Sequence, residues 1–312
     1  MATKSSPQWN LLKAGDPVDI IAPASHTSQL ALDSGMDWLR SLGLVPRFRD
    51  GIIKGDLFFA AELEFQQQDL LEALNSDSKA IWCVRGGYGS MRLIPLLNEI
   101  RRPDHPKLLL GFSDITALHL YLNQKWDWPS FHSRNISAMR AEDHLTPDRQ
   151  ATQRLLFGID HEITFQDLIP LNEFAAEEKE IQGRMVGGNL RILQSSLGTS
   201  WELQAKDKIL FIEDIGERGY SVHRMLEQLK QAKIIHRDLK ALAIGQFTEG
   251  EEKNGKDLIP EALKRIADEL PYPVFTGLPC GHGTENYPLP LNTECKLKLG
   301  QSITLTCQSG GI

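Results

Sequence analysis

The stretch Leu108-Leu-Leu-Gly-Phe-Ser-Asp-Ile115 is the part of this 312-residue chain from which the fold is best inferred. Its three leucines are typical of a buried strand, which ends at Gly111, and helical spacing follows from Thr116 to Leu122. A strand that enters a helix through a Gly-x-Ser turn exposes the hydroxyl at the carboxyl edge of a sheet. Because position 115 is not glycine, the generic Gly-x-Ser-x-Gly motif is incomplete, and Ser113 is either a nucleophile or a helix N-cap.

Strand and helix patterns alternate on the N-terminal side of this stretch. Apolar runs predict strands over 18–22, 44–48 and 80–84, and helical spacing predicts helices over 28–42, 62–74 and 92–100. Such alternation predicts an α/β fold with a parallel sheet and helices on both faces. Ligands bind beyond the carboxyl ends of such strands, where two turns compete for the site: Arg85-Gly-Gly-Tyr-Gly89 and Gly111–Asp114.

The segment 161–182 differs from what precedes it, because it is acidic, contains Pro170 and has no firm periodicity. We interpret it as a linker between an N-terminal domain, 1–160, and a C-terminal domain, 183–312. The second domain is predicted to be mixed α/β with antiparallel strands.

Composition excludes several classes of function. Hydrophobic residues make up 41% and charged residues 24% of the chain, as in an ordinary soluble globular protein. A formal net charge of −7 argues against nucleic-acid binding. The start of the chain has no apolar signal-peptide core and no apolar run approaches the length of a membrane span, so we expect a cytoplasmic protein without a membrane partner.

Metal and nucleotide sites are not predicted. The four cysteines form no C-x-x-C pair, and the nine histidines show no i, i+4 pair of the metal-binding type. The segment 250–256 matches the start of a phosphate-binding loop, but Asp257 replaces the hydroxyl residue that holds magnesium. We therefore expect a solvated loop there, and neither a metal nor a cofactor.

A serine nucleophile needs a base and a carboxylate that orients it. Glu213 ends an apolar strand, where its charge needs a partner, either in a triad or in an ion pair with an arginine. His282 lies between two glycines, which leave room for a partner or a substrate. Cys280, two residues earlier, is an alternative nucleophile, although a small residue in a turn is the simpler interpretation.

Five short motifs, in order along the chain, resemble those of the serine LD-carboxypeptidases (murein tetrapeptide carboxypeptidases, peptidase family S66). They are Arg85-Gly-Gly-Tyr-Gly89, Gly111-Phe-Ser-Asp114, Gly187-Gly-Asn-Leu190, Phe211-Ile-Glu-Asp-Ile-Gly-Glu217 and Gly281-His-Gly283. The resemblance implies an N-terminal flavodoxin-like parallel-sheet domain and a C-terminal swivelling β/β/α domain. It also implies a homodimer that uses no cofactor.

The resemblance further assigns roles to individual residues. Ser113 is the expected nucleophile, His282 the general base and then acid, and Glu213 the residue that orients His282. Backbone N–H groups of Asp114 and Gly87 are expected to form the oxyanion hole, with Gly86 as the other candidate. The implied reaction is hydrolysis of the bond before the terminal D-alanine of a murein tetrapeptide, in cell-wall recycling.

A carboxypeptidase must also bind a free carboxylate, for which arginine is well suited. Arg85 and Arg134 are the candidates, and a structural ion pair is the alternative for each. The segment Phe131-His-Ser-Arg-Asn135 departs from the His-Gly-Pro of the family, which leaves the substrate preference open. The alternative functions are an amide hydrolase of the microcin-immunity type, acting on peptidyl or aminoacyl nucleotides, and a non-catalytic binding protein on the same scaffold.

Overall fold

A computed structural model describes residues 7–140, 146–235 and 237–312. The chain divides into two units. Unit 1 runs to His161 and also includes residues 287–292 and 309–312, whereas unit 2 contains residues 162–286 and 293–308. The chain therefore leaves unit 1 and returns to it twice.

Strands and helices are numbered in chain order. The strands are β1 (Pro17–Ile21), β2 (Val45–Arg47), β3 (Ala80–Cys83), β4 (Leu108–Gly111), β5 (Ser130–His132), β6 (Glu162–Pro170), β7 (Glu180–Asn189), β8 (Ile209–Ile215), β9 (Ala241–Thr248), β10 (Val274–Thr276), β11 (Leu289–Leu291), β12 (Glu294–Lys298) and β13 (Ile303–Gln308). The helices are α1 (Gln29–Ser41), α2 (Leu63–Asn75), α3 (Ile94–Glu99), α4 (Thr116–Tyr121), α5 (Pro147–Leu156), α6 (Glu173–Ala176), α7 (Leu190–Ser195), α8 (Gly219–Gln231) and α9 (Ile259–Glu269). In the part of the chain that the structure describes, no helix has the length and apolar character needed to cross a membrane.

The sheet of unit 1 has the order β2-β1-β3-β4-β5-β11. Strands β1 to β5 pair in parallel, and this order is that of the flavodoxin-like doubly wound fold. Strand β11 adds an antiparallel edge, with Leu289 opposite His132. The predicted flavodoxin-like parallel sheet is confirmed, and its carboxyl edge carries the two turns named above.

Helix α1 shows how the sequence fixes the packing on this sheet. Ser28 caps the helix by accepting a hydrogen bond from the Ala31 N–H at 3.2 Å. The helix buries one face, which contains Leu32, Gly35, Met36, Trp38 and Leu39. Gly35 is required there, because a Cβ at this position would lie 2.4 Å from the carbonyl oxygen of Ile136.

Unit 2 is built around a closed seven-stranded barrel with the order β10-β6-β13-β12-β7-β8-β9. Strands β7, β8, β9 and β10 pair in parallel, and the remaining pairs are antiparallel. Helices α8 and α9 each bury an apolar face. A second domain of mixed strands and helices, as predicted, is therefore confirmed.

The prediction that the segment 161–182 is a linker is wrong. It forms β6, α6 and the start of β7, and β6 pairs with both β13 and β10. Only Phe165 and Leu168 of β6 are buried, so most of this barrel strand faces solvent and its sequence is polar. The predicted C-terminal boundary also changes, because residues 287–292 and 309–312 belong to unit 1.

Candidate active site

Ser113 follows β4 in a strained turn. Its φ of +66° lies in the left-handed region, which is uncommon for a residue with a Cβ. The preceding residue, Phe112, is extended, and a 3₁₀ turn begins at Ser113 and continues into α4. Strain of this kind is typical of a nucleophile held at a strand-to-helix elbow. Ser113 is half-buried.

Buried polar groups hold this elbow from behind. The Gly111 carbonyl accepts hydrogen bonds from the Ser133 N–H at 3.0 Å and from Nε2 of His119 at 2.9 Å. Asn135 Oδ1 accepts from the Phe112 N–H at 3.3 Å. His119 is fully buried, and this burial lowers its pKa to about 3, against the opposing effect of its bond to Gly111. The ring is therefore neutral and fixes the end of β4 as a hydrogen-bond donor.

The turn 85–89 packs directly against the elbow. A Cβ built on Gly86 would lie 2.8 Å from Cβ of Ser113 and 3.1 Å from its Oγ, so only glycine fits. The Ser90 N–H donates to Oδ2 of Asp114 at 2.8 Å, and the Ser90 hydroxyl donates to the Asp114 carbonyl at 2.6 Å. Burial raises the pKa of Asp114, and its hydrogen bonds from Ser90 and Gly89 oppose this rise. The turns 85–89 and 111–114, which the sequence offers as alternative ligand sites, therefore pack together in one local structure.

Unit 2 brings Glu213 and His282 together. Glu213, near the end of β8, is fully buried, and its Oε2 lies 2.6 Å from Nδ1 of His282. Gly281 makes this approach possible, because it has a φ of +136° and a Cβ there would lie 3.0 Å from that carboxylate oxygen. The Gly283 N–H donates to Oε1 of Gln246 at 2.8 Å, which anchors the other side of the loop. His282 is therefore a partner of Glu213, as the triad interpretation predicts.

The charge around His282 favours its protonated form. Burial alone lowers the pKa of His282, but the hydrogen bond to Glu213 and the charges of Glu213, Asp214 and Glu249 outweigh it, so the pKa is raised. Asp214 is itself held by hydrogen bonds from Asn189 Nδ2 at 2.8 Å and from the Arg191 N–H at 2.9 Å. Burial, together with the charge of Glu213, raises the pKa of Asp214 to about 6.

The two arginine candidates differ in their surroundings. Arg85 is exposed, and its Nη1 donates to the His26 carbonyl at 2.8 Å. Arg134 pairs through Nε with Oδ2 of Asp148 at 2.5 Å, and both side chains are largely buried. The ion pair at Arg134 is what the structural alternative predicts, whereas Arg85 is exposed at the start of the turn 85–89.

Other candidates lack the properties of a reactive site. Cys280 is fully buried, and this burial, with the charge of Glu213, raises its thiol pKa well above the usual value. Most side chains in the segment 250–256 are exposed, as expected for a solvated loop. Within residues 7–140, 146–235 and 237–312, no group of three histidine, cysteine or acidic residues could hold a metal ion.

Sequence reasoning missed the residues that support these groups. Asn135, His119 and Gln246 hold the elbow and the histidine loop, but each is a single polar residue without a motif of its own. Asn189, which bonds to Asp214, lies in the Gly187-Gly-Asn-Leu190 motif. Of these supporting residues, it is the one that a sequence motif could have indicated.

Comparison with known proteins assigns the family. The N-terminal domain of LD-carboxypeptidases matches residues 18–133, and the C-terminal domain matches residues 182–297. A Rickettsia conorii protein with a provisional carboxypeptidase name is 38% identical over 284 residues, which cover 90% of this chain and 87% of that protein. The murein tetrapeptide carboxypeptidase of Pseudomonas aeruginosa is 31% identical over 292 residues, with coverage of 90% and 92%.

A solved structure agrees with this assignment. The muramoyltetrapeptide carboxypeptidase of Oxalobacter formigenes superimposes with a TM-score of 0.79 at 28% identity, over 94% of this chain and 98% of that one. A microcin C7 self-immunity protein of Escherichia coli is also related, at 23% identity over 330 residues, which cover 95% of each chain. This chain therefore belongs to the LD-carboxypeptidase family of hydrolases, and it is a carboxypeptidase.

Proposed function

We propose that this protein is a serine LD-carboxypeptidase that releases the terminal D-alanine from murein tetrapeptides, with Ser113, His282 and Glu213 as its catalytic triad. The observation that carries the proposal is the 2.6 Å hydrogen bond between His282 Nδ1 and Glu213 Oε2. A buried carboxylate on Nδ1 fixes the tautomer in which Nε2 is the base. The strained φ of Ser113 supports its role as the nucleophile.

The reaction follows the acyl-enzyme scheme. Ser113 Oγ attacks the scissile carbonyl carbon while His282 Nε2 takes the hydroxyl proton. The Asp114 and Gly87 N–H groups stabilise the oxyanion, and His282 returns the proton to the leaving nitrogen of D-alanine. Water, activated by His282, then hydrolyses the ester bond to Ser113 and restores the free enzyme. Glu213 stays ionised and stabilises the imidazolium that forms in each half-reaction.

The substrate assignment rests on two arguments. The names of the Pseudomonas aeruginosa and Oxalobacter formigenes relatives refer to tetrapeptides of cell-wall origin. Arg85 is exposed at the start of the turn that packs on Ser113, and its guanidinium is suited to bind the terminal carboxylate of such a peptide. Arg134, which is paired with Asp148, is the weaker candidate for that role.

We place the enzyme in the cytoplasm and propose a homodimer that needs no cofactor. Its four cysteines are all free and buried, which suits a reducing compartment. The homodimer is carried over from the family resemblance alone, and light scattering on the purified protein would test it. A monomeric mass at all concentrations would contradict the proposed homodimer without affecting the catalytic proposal.

The decisive experiment is to measure D-alanine release from a sugar-free murein tetrapeptide by the wild type and by Ser113→Ala. We expect release by the wild type and a loss of about 10⁴-fold or more in the variant. Circular dichroism of the variant controls for folding. Tripeptide, pentapeptide and an aminoacyl-sulfamoyl nucleotide are tested in parallel. Cleavage of the nucleotide alone would favour the microcin-immunity activity, and cleavage of none would favour a binding protein.

A further inference from the structure

We propose that Ser25 is a positioning residue, which fixes the two peptide planes on either side of Gly87 and so orients the Gly87 N–H for the oxyanion. This inference rests on the proposed function, in which that N–H is one of the two oxyanion donors. Ser25 lies in the loop 22–28, between β1 and α1. It belongs to none of the groups assigned to the triad, the oxyanion hole or carboxylate binding.

Gly87 needs an external restraint. Its φ is +96°, a conformation that residues with a side chain rarely adopt, and the residue before it is also glycine. Two consecutive glycines leave a chain unusually free to rotate, because no Cβ restricts φ and ψ. Rotation of the peptide between Gly86 and Gly87 would turn the donor away from the oxyanion. Catalysis by a backbone donor depends on its being fixed before the reaction begins.

The backbone of Ser25 fixes the first peptide plane. Its N–H donates to the Gly86 carbonyl oxygen at 3.1 Å. That carbonyl and the Gly87 N–H belong to the same peptide unit, and in a trans peptide the two groups point in opposite directions. Since the carbonyl points to Ser25, the Gly87 N–H points away from it. This arrangement favours Gly87 over Gly86 as the oxyanion donor.

The side chain of Ser25 fixes the second plane. The Tyr88 N–H donates to Ser25 Oγ at 3.1 Å, so the peptide between Gly87 and Tyr88 is also held. A Cβ on Gly87 would lie 2.5 Å from Ser25 Oγ, which shows how closely the hydroxyl approaches the turn. On its other flank the turn meets Ser113, through Gly86. The turn is therefore held between Ser25 and the nucleophile.

The loop that carries Ser25 is itself anchored. The buried side chain of Gln66 donates from Nε2 to the carbonyls of Ala22 at 2.8 Å and Ala24 at 3.2 Å. The Ala60 N–H also donates to the Ala24 carbonyl, at 2.8 Å. Ser25 thus extends from a rigid base, which it needs if it is to transmit a fixed orientation to Gly87.

The test compares Ser25→Ala with wild type and with Ser28→Ala. Ser28 Oγ also accepts one backbone N–H, that of Ala31 at 3.2 Å, but this bond caps α1 and does not hold the turn 85–89. For Ser25→Ala we expect kcat to fall about 10- to 100-fold, less than the 10²–10³-fold cost of losing a donor outright, with KM nearly unchanged. Ser28→Ala should lower the melting temperature but leave kcat unchanged. Ser25→Thr, which keeps the hydroxyl acceptor, should restore most of kcat.

A substrate-independent measurement separates this inference from the proposed function. Phosphonylation of Ser113 by a fluorophosphonate also develops charge in the oxyanion hole, so its rate should fall in Ser25→Ala in parallel with kcat. If the wild type is labelled but releases no D-alanine, the substrate proposal is wrong and the labelling rates still test Ser25. A folded Ser25→Ala with wild-type kcat, or with an unchanged labelling rate, would overturn the inference. Should this variant not fold, Ser25→Cys, whose sulfur is a weak acceptor, replaces it.

Discussion

Nδ1 of His282 lies 2.6 Å from Oε2 of Glu213, a carboxylate with no exposed surface. Burial of a lone carboxylate is costly, so the histidine and the carboxylate stabilise each other. Because the negative charge of Glu213 favours the imidazolium, the pairing raises the pH at which the His282 ring loses its proton.

This pairing predicts the acid limb of the pH–rate profile. A general base must be unprotonated, so kcat/KM rises with pH through the pKa of His282 in the free enzyme. Since that pKa is raised, we expect the midpoint of the limb to lie above about 6.5, the ordinary value for histidine. Glu213→Gln removes the charge and should move the midpoint downward, with a fall in kcat of about 10³- to 10⁴-fold.

Glu249→Gln is the matched control for this experiment. Glu249 raises the pKa of His282 through its charge and is exposed. Its neutralisation should shift the midpoint downward by less than Glu213→Gln does, with kcat near the wild-type value. A midpoint that is the same in all three proteins would show that His282 is not the titrating base.

The two arginine candidates should respond differently to substitution. Arg85→Ala should raise KM for the tetrapeptide about 10- to 100-fold without loss of stability, because a charge-assisted hydrogen bond contributes about 1.5–3 kcal/mol. Arg134→Ala removes the cation from the buried Asp148 and should lower the free energy of unfolding by roughly 3–5 kcal/mol. Steady-state kinetics and urea unfolding measure the two effects. A large KM effect from Arg134→Lys in a stable protein would reverse the assignment.

Gly86→Ala should inactivate the enzyme by steric contact. The new Cβ would lie 2.8 Å from Cβ of Ser113, so the elbow or the turn must move, and we expect kcat to fall at least about 100-fold. Gly183→Ala is the control, because its Cβ would meet the flexible side chain of Lys240 at 2.9 Å, which can move aside. That variant should retain wild-type kcat. Equal loss in both variants would point to a general destabilisation.

Thiol reagents should not inactivate the native enzyme. All four cysteines are buried, and burial raises the thiol pKa of Cys83, Cys280 and Cys307. We expect Ellman's reagent to leave D-alanine release unchanged and to titrate the thiols only after denaturation. Rapid inactivation, with protection by substrate, would instead support Cys280 as the nucleophile.

Local hydrophobic patterns in the sequence predicted the strands and helices of unit 1 well. The predicted strand over 80–84 is β3, and the predicted helix over 62–74 is α2 within one residue at each end. The first is a continuous apolar run and the second has helical spacing, so each is predicted without knowledge of its partners. Strand β6 escaped prediction because it pairs with β13, more than 130 residues away, and buries only two residues. Such pairing depends on distant partners that local pattern does not contain.

In the candidate site, too, some residues could be predicted from local sequence and others could not. Ser113, Glu213 and His282 lie in glycine-bearing motifs and could be named from the sequence. The partner of Arg134, which lies in α5, and the bonds from Ser25 to the turn 85–89 depend on how segments that are separate in sequence fold together. A short polar residue in a loop has many possible partners, so only the folded chain identifies Ser25.

The repeated return of the chain to unit 1 has a consequence for synthesis in the cell. Strand β11 completes the edge of the sheet in unit 1. Residues 309–312 also belong to this unit, and the indole N–H of Trp9 donates to the Ser309 carbonyl at 2.9 Å. A ribosome makes these residues well after His161, so the sheet that carries Ser113 stays unfinished while most of unit 2 is being translated. Chains that terminate before Leu289 would lack this edge, and we expect them to have no hydrolytic activity.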